Sequence, residues 1–179
     1  MKRIRSGSTR STSVGFSLVE VLVALLVLSV GLLGLAGLQM RGLQANQMSY
    51  LRSQATQLAY DISDRMRANL AGVTAGSYNS GAAATDAALC ETAECTSANM
   101  AQYDLKQWND ALAAQLPEGT GVVCLDDTPE DGSSASPACG GSGSGLYAIK
   151  VFWTERSEST DDRNRVVTQE SRFVTSFRP

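Results

Sequence analysis

The sequence predicts an α+β protein in which a long N-terminal helix packs on a small antiparallel sheet. Three observations carry that reading. Residues 21–38 contain no charged side chain. Apolar residues then recur at spacings of three and four through "QMRGLQANQMSYLRSQATQLAYDISDRMRANLAG", the period of a helix that covers a core. Three stretches of strand pattern follow, joined by polar connections, and they suit an antiparallel sheet.

The first element is the apolar run. From Phe16 to Leu38 there are 23 residues with one charge, Glu20, long enough to cross a bilayer core as a tilted helix. The leader before it holds Lys2, Arg3, Arg5 and Arg10 and no acid. Without those four positive charges the remainder stands at −7, against −3 for the whole chain. A basic leader ahead of an acidic remainder places the N-terminus in the cytoplasm and exports everything after about residue 40. A cleaved secretory signal is the plainer alternative. The run is too long for a typical signal core, however, and no Ala-x-Ala-like site follows it. Gly31, Gly34 and Gly37 recur every three residues, with Gly42 beyond. Small residues of this kind allow close helix approach in a membrane and weaken the helix itself.

The helix continues past Leu38 with a change of character. Leu51, Ala55, Leu58, Ile62, Met66 and Leu70 form one face, and Gly72 is the expected stop. A helix from Phe16 to about Leu70 is roughly 80 Å long. Residues 72–89 are small and polar and read as loop. "SANMAQYDLKQWNDALAAQLP" predicts a second amphipathic helix with Ser97 as its N-cap. Its apolar face is Ala101, Leu105, Trp108, Leu112 and Leu116, and Pro117 and Gly119 end it. On that stripe Trp108 reads as core rather than as a ligand platform. "GVVCL" is a short strand. "GLYAIKVFWTE" alternates, with Tyr147, Ile149, Val151 and Trp153 on one face. "RSESTDDRN" reads as a polar connector, and "RVVTQESRFVTSFR" as a last strand with Val167, Phe173 and Phe177 on a shared side. The domain plan is a leader at 1–15, a membrane helix at 16–38, an amphipathic helix at 39–71 and an exported head at 72–179.

Composition narrows function. An acidic bulk argues against general nucleic-acid binding, which rests on neutralising phosphates with Lys and Arg. The chain has no histidine, so a His-based triad and the commonest metal ligand are both excluded. No nucleophile–base pair is visible, and an enzyme is not expected.

Glu20 carries the functional signal. An ionisable residue in a membrane span costs on the order of a few kcal/mol and is by default a functional hypothesis. The plain alternative is that Glu20 snorkels to the nearby cytoplasmic surface. A basic leader ending in Gly15, then Phe16, then Glu20 at the fifth position after the glycine, then an apolar helix, together resemble the class III signal of type IV prepilins. That resemblance implies cleavage by prepilin peptidase between Gly15 and Phe16 and N-methylation of Phe16. It also implies that Glu20 is the glutamate that pairs with a subunit's new amine and sets the stagger of packing. The segments "GFSLVEVLVALLVLSVGLLGLAGLQ", "LAYDISDRMRANLAG" and "YDLKQWNDALAAQLPEGTGVVC" further resemble the PilV family of type IV pilus modification proteins, which are minor pilins. The family implies the pilin fold and no cofactor. Its expected partners are other minor pilins, pilus subunits and the inner-membrane assembly platform. It also implies roles in fimbrial biogenesis, twitching motility and attachment. The expected location is the inner membrane with the head in the periplasm, then the pilus, at or near its tip. Two other readings stay open: a minor pseudopilin of a type II secretion system, and a membrane-anchored periplasmic binding domain.

Cys90, Cys95, Cys124 and Cys139 all lie on the exported side, where disulfides are favoured. Four cysteines allow three pairings, and proximity favours Cys90–Cys95 and Cys124–Cys139. The second pairing closes the loop "LDDTPEDGSSASPA", for about 3 kcal/mol in the chain-entropy model. The spacings do not match paired C-x2-C, so no metal site is expected, and without C-x-x-C a redox role is not expected either.

Overall fold

The computed structural model describes residues 15–79, 90, 94–141, 145–158 and 166–179. The basic leader charges lie outside these residues, as do positions 80–89 of the expected loop and 159–165 of the expected connector. The chain divides into two compact units, Met1–Ala45 and Asn46–Pro179. Its elements are α1 (Leu18–Ala68), α2 (Leu70–Thr74), α3 (Ser97–Gln115), β1 (Thr120–Leu125), β2 (Tyr147–Glu158) and β3 (Val166–Phe177). This is the predicted α+β plan of a long N-terminal helix and a three-stranded antiparallel sheet, and it matches the pilin fold.

Within the second unit, α1 packs as its spacing predicts. Leu51, Ala55, Leu58, Ile62 and Met66 are buried in one cluster, together with Ala59. Leu70 does not join them; it is half exposed. The reason is a break one residue earlier. Asn69 leaves helical geometry at φ −118° and ψ 56°, and its side-chain oxygen accepts from the Gly72 N–H to cap a new short helix. The helical phase is reset there. Gly72 is therefore no stop signal. It lies inside α2, where a Cβ would stand 2.6 Å from Asn69 Nδ2 and 2.9 Å from the Ser97 carbonyl oxygen. Asn69 Nδ2 donates to that same Ser97 carbonyl at 2.8 Å and to the Tyr78 hydroxyl at 3.2 Å. Tyr78 is fully buried, so the described part of the expected loop contributes a core side chain.

α3 presents Ala101, Leu105, Trp108 and Leu112, followed by Leu116, to the same cluster. Its N-cap is Thr96 rather than Ser97: the Thr96 side chain accepts from the Asn99 N–H, and Ser97 is already helical. Leu116 ends the helix in an extended conformation, ahead of Pro117.

The sheet runs in the order β1-β2-β3, antiparallel throughout. Alternation puts Tyr147, Ile149, Val151 and Trp153 in the main core with Phe177, and Phe173 packs against that core. Val167 shares their parity but lies 41% exposed; it pairs with Ser157 near the connection between β2 and β3, at the far end of the strands from Tyr147 and Phe177. β2 continues to Glu158, through residues expected in the connector. Cross-strand pairing with β3, from Arg156↔Thr168 to Glu158↔Val166, overrides their polar character. On the opposite face Val122, Cys124 and Phe152 make a small second cluster. Residues 126–141 cross that face: Arg172 Nη1 donates to the Gly132 carbonyl at 2.6 Å, and Ser134 donates to the Glu170 carboxylate.

Candidate functional site

The candidate processing and assembly site is built from the residues at the start of α1. Gly15 and Phe16 precede the helix. Among the described residues nothing lies within 4 Å of where a Gly15 Cβ would stand, and Phe16 is 82% exposed. Ser17 caps the helix: the Glu20 N–H reaches the Ser17 Oγ at 3.2 Å and the Ser17 carbonyl at 3.1 Å. A hydroxyl accepting from the amide three residues on satisfies one of the orphan donors that every helix start carries. Glu20 falls in the first turn, where the positive end of the helix dipole favours a carboxylate. Among the described residues its carboxylate makes no ion pair and accepts no hydrogen bond.

Beyond Glu20 the surface is apolar on every side. Leu18, Val19, Val21, Leu22 and Val23 begin a series of exposed large side chains that ends at Met40 and Leu43. Of the described residues, one helix is long and apolar enough to cross a membrane, and none of its most apolar stretch is buried. Such a surface needs lipid or other helices against it. The one hydroxyl midway, Ser29, donates to the Leu26 carbonyl at 2.8 Å and so presents no unpaired donor. Gly31, Gly34, Gly37 and Gly42 have open space where side chains would stand, which leaves room for a second helix to approach closely.

The four cysteines lie in the head, where the structure joins Cys90 to Cys95 and Cys124 to Cys139. They take no part in the site on α1. The described residues contain no cluster of His, Cys, Asp and Glu able to hold a metal ion.

Three features escaped the sequence reading. Ser17 was legible, since Ser17-Leu18-Val19-Glu20 has the spacing of a capping box. The second is a buried polar group in the head. Lys150 is fully buried, and its Nζ lies 2.6 Å from Asp126 Oδ2, itself fully buried. No spacing rule points to it. Burial alone would raise the Asp126 carboxyl, but Lys150, the Thr128 N–H and the Gly140 backbone outweigh that and hold it below its ordinary value. Asp131 is lowered too, first by its hydrogen bond with Lys150. The third is a polar group that links α1, the turn after α2, and α3: Tyr78 donates to buried Asp104 at 2.5 Å, and Arg65 Nη1 donates to Gln107 at 2.9 Å. Burial first, and then that bond to Asp104, push the Tyr78 hydroxyl well above the ordinary phenol range.

Residues 37–106 match the family described as Tt1218-like, type IV pilin Tt1218. The matched stretch runs from the end of the apolar run through α2 and into α3. No curated protein and no solved structure matches the chain. The match covers less than half of the sequence, but it meets the long helix and small antiparallel sheet already described. Together they support a type IV pilin, with an apolar N-terminal helix that fits a membrane anchor.

Proposed function

We propose that this chain is a minor pilin of the PilV kind: a non-enzymatic subunit that helps initiate type IV pilus assembly with other minor pilins. In this reading prepilin peptidase cuts between Gly15 and Phe16, and Phe16 is N-methylated. The head lies in the periplasm while the helix stays in the inner membrane, until the assembly platform passes the subunit into the pilus, at or near its tip. The observation that carries the reading is the start of α1. Ser17 satisfies the Glu20 backbone amide, and among the described residues the Glu20 carboxylate makes no ion pair, which suits a partner on another subunit. A neighbouring subunit's new amine supplies one. Their pairing removes two charges from an apolar packing region and penalises wrong registers, because an unpaired carboxylate there is costly. Fimbrial biogenesis, twitching motility and attachment follow from membership of such an assembly.

The test is recovery of the subunit in sheared filaments from cells that carry Glu20→Ala or Glu20→Gln. Loss from the filament fraction, with the protein still present in membranes and its head folded, supports the reading. Undiminished incorporation of both variants overturns it, and leaves Glu20 as a capping acid only.

A further inference from the structure

Every strand-alternation rule places Lys150 on the face of β2 turned away from the main core, paired across the sheet with Val122. A lysine there normally stands in water. Here its ammonium is enclosed by the segment 126–141. Nζ lies 2.6 Å from Asp126 Oδ2 and donates to Asp131 Oδ1 at 3.0 Å, the Asp131 carbonyl at 3.0 Å and the Pro137 carbonyl at 2.8 Å. Four oxygens from three points along one segment thus converge on one cation. The points are not arbitrary. Asp126 stands two residues after Cys124, and Pro137 two residues before Cys139. Between them the Asp127 N–H donates to the Gly140 carbonyl at 3.0 Å. The two arms that carry the cysteines are therefore held together by contacts that do not involve sulfur, and the cysteine Cα atoms end 6.0 Å apart, within the span a disulfide bridges.

We propose that Lys150 is a positioning residue for the Cys124–Cys139 disulfide: it closes the segment over the sheet before oxidation and so favours formation of this bond. The chemistry is ordinary thiol–disulfide exchange. Two thiols of the head give two electrons and two protons to a disulfide oxidant, which leaves as two thiols, and one S–S bond forms. Lys150 takes no part in those bonds. It raises the effective concentration of one thiol at the other by ordering the chain between them. Cys90–Cys95 is the internal reference. Its cysteines are five residues apart, and none of the four contacts to Lys150 lies between them.

The test uses the full chain in detergent micelles, equilibrated in mixtures of reduced and oxidised glutathione. Each disulfide is quantified by differential alkylation and peptide mass. In Lys150→Met, which keeps the length of the stem and removes the charge, the fraction of Cys124–Cys139 at a given glutathione ratio falls. The corresponding equilibrium constant drops by about tenfold or more, the scale expected when charge-assisted hydrogen bonds are lost. Cys90–Cys95 is unchanged. An unchanged constant for Cys124–Cys139 overturns the proposal. A second variant removes dependence on the folding of Lys150→Met: Cys124→Ser with Cys139→Ser, read by hydrogen exchange of residues 126–141. Amides protected there without the disulfide, and exposed when Lys150→Met is added to that variant, show that Lys150 closes the segment; protection that survives the added Lys150→Met overturns the proposal. Amides that exchange as fast as in unfolded chain show that the disulfide does, and overturn the proposal.

Discussion

Trp108 donates its indole N–H to the Leu58 carbonyl at 2.9 Å, and both residues are buried. This bond ties α3 to α1 through a backbone oxygen, so the two helices are held in register as well as packed. An indole in a core usually finds such a partner, since a buried N–H left unpaired is costly. Trp108→Phe keeps an aromatic ring and loses the bond and some volume, for about 1–3 kcal/mol. Trp108→Ala empties the site, for about 3–5 kcal/mol. Urea unfolding of the head is expected to show lower midpoints in that order, with the slope unchanged.

Gly121 stands on β1 directly beneath that ring. A Cβ there would lie 2.4 Å from Trp108 Cη2 and 2.6 Å from Leu112 Cδ1. Both are core atoms with little freedom to move. Gly121→Ala is therefore expected to destabilise the head by about 1–3 kcal/mol through overpacking, although alanine suits a strand better than glycine does. Thermal unfolding of the variant checks the sign: a rise in midpoint contradicts it.

Acid acts through the buried pair. Asp126 is held below its ordinary 3.8 in the folded head, so the unfolded chain binds the proton more readily. The stability this group contributes is present above about pH 4, where Asp126 is ionised in both states. It is lost as pH falls through the lowered folded value. Asp126→Asn is expected to be less stable than the native chain at pH 7, with a shallower loss of stability between pH 4 and pH 2. Unfolding free energies measured across that range check it; parallel curves contradict it.

The Ser17 cap makes a separate claim about α1. Ser17→Ala removes the oxygen that accepts from the Glu20 amide, for about 1 kcal/mol of local helix stability. Hydrogen exchange in micelles is expected to quicken at Leu18–Val21 by roughly fivefold, with the head amides unaffected. Uniform exchange across α1 in both proteins contradicts a cap at Ser17.

The parts of the fold that were legible in the sequence are those written as a repeating pattern. Leu105, Trp108 and Leu112 announce α3, and Tyr147, Ile149, Val151 and Trp153 announce the core face of β2, because one spacing recurs along each element. What was not legible depends on single contacts between distant residues. Leu70 continues the α1 pattern perfectly, yet the Asn69 side chain resets the helix one residue before it. Lys150 reads as an outward residue of an alternating strand, and only the return of residues 126–141 across the sheet encloses it. Arg156 sits in a run as polar as a connector, and it is the pairing of β3 that extends the strand there. At the site on α1, Gly15, Phe16 and Glu20 stand out as a motif. The capping role of Ser17 was legible as well, in its three-residue spacing from Glu20, and its hydroxyl at the helix start makes it explicit.

On the proposed function this chain becomes a subunit by losing its leader at Gly15. The most direct measurement is an intact mass, with N-terminal fragment sequencing, of the protein purified from native membranes. The expected result is a chain that begins at N-methylated Phe16 and is four hydrogens lighter than its reduced form, from the two disulfides. A chain that still begins at Met1, or one cut after residue 38, contradicts it.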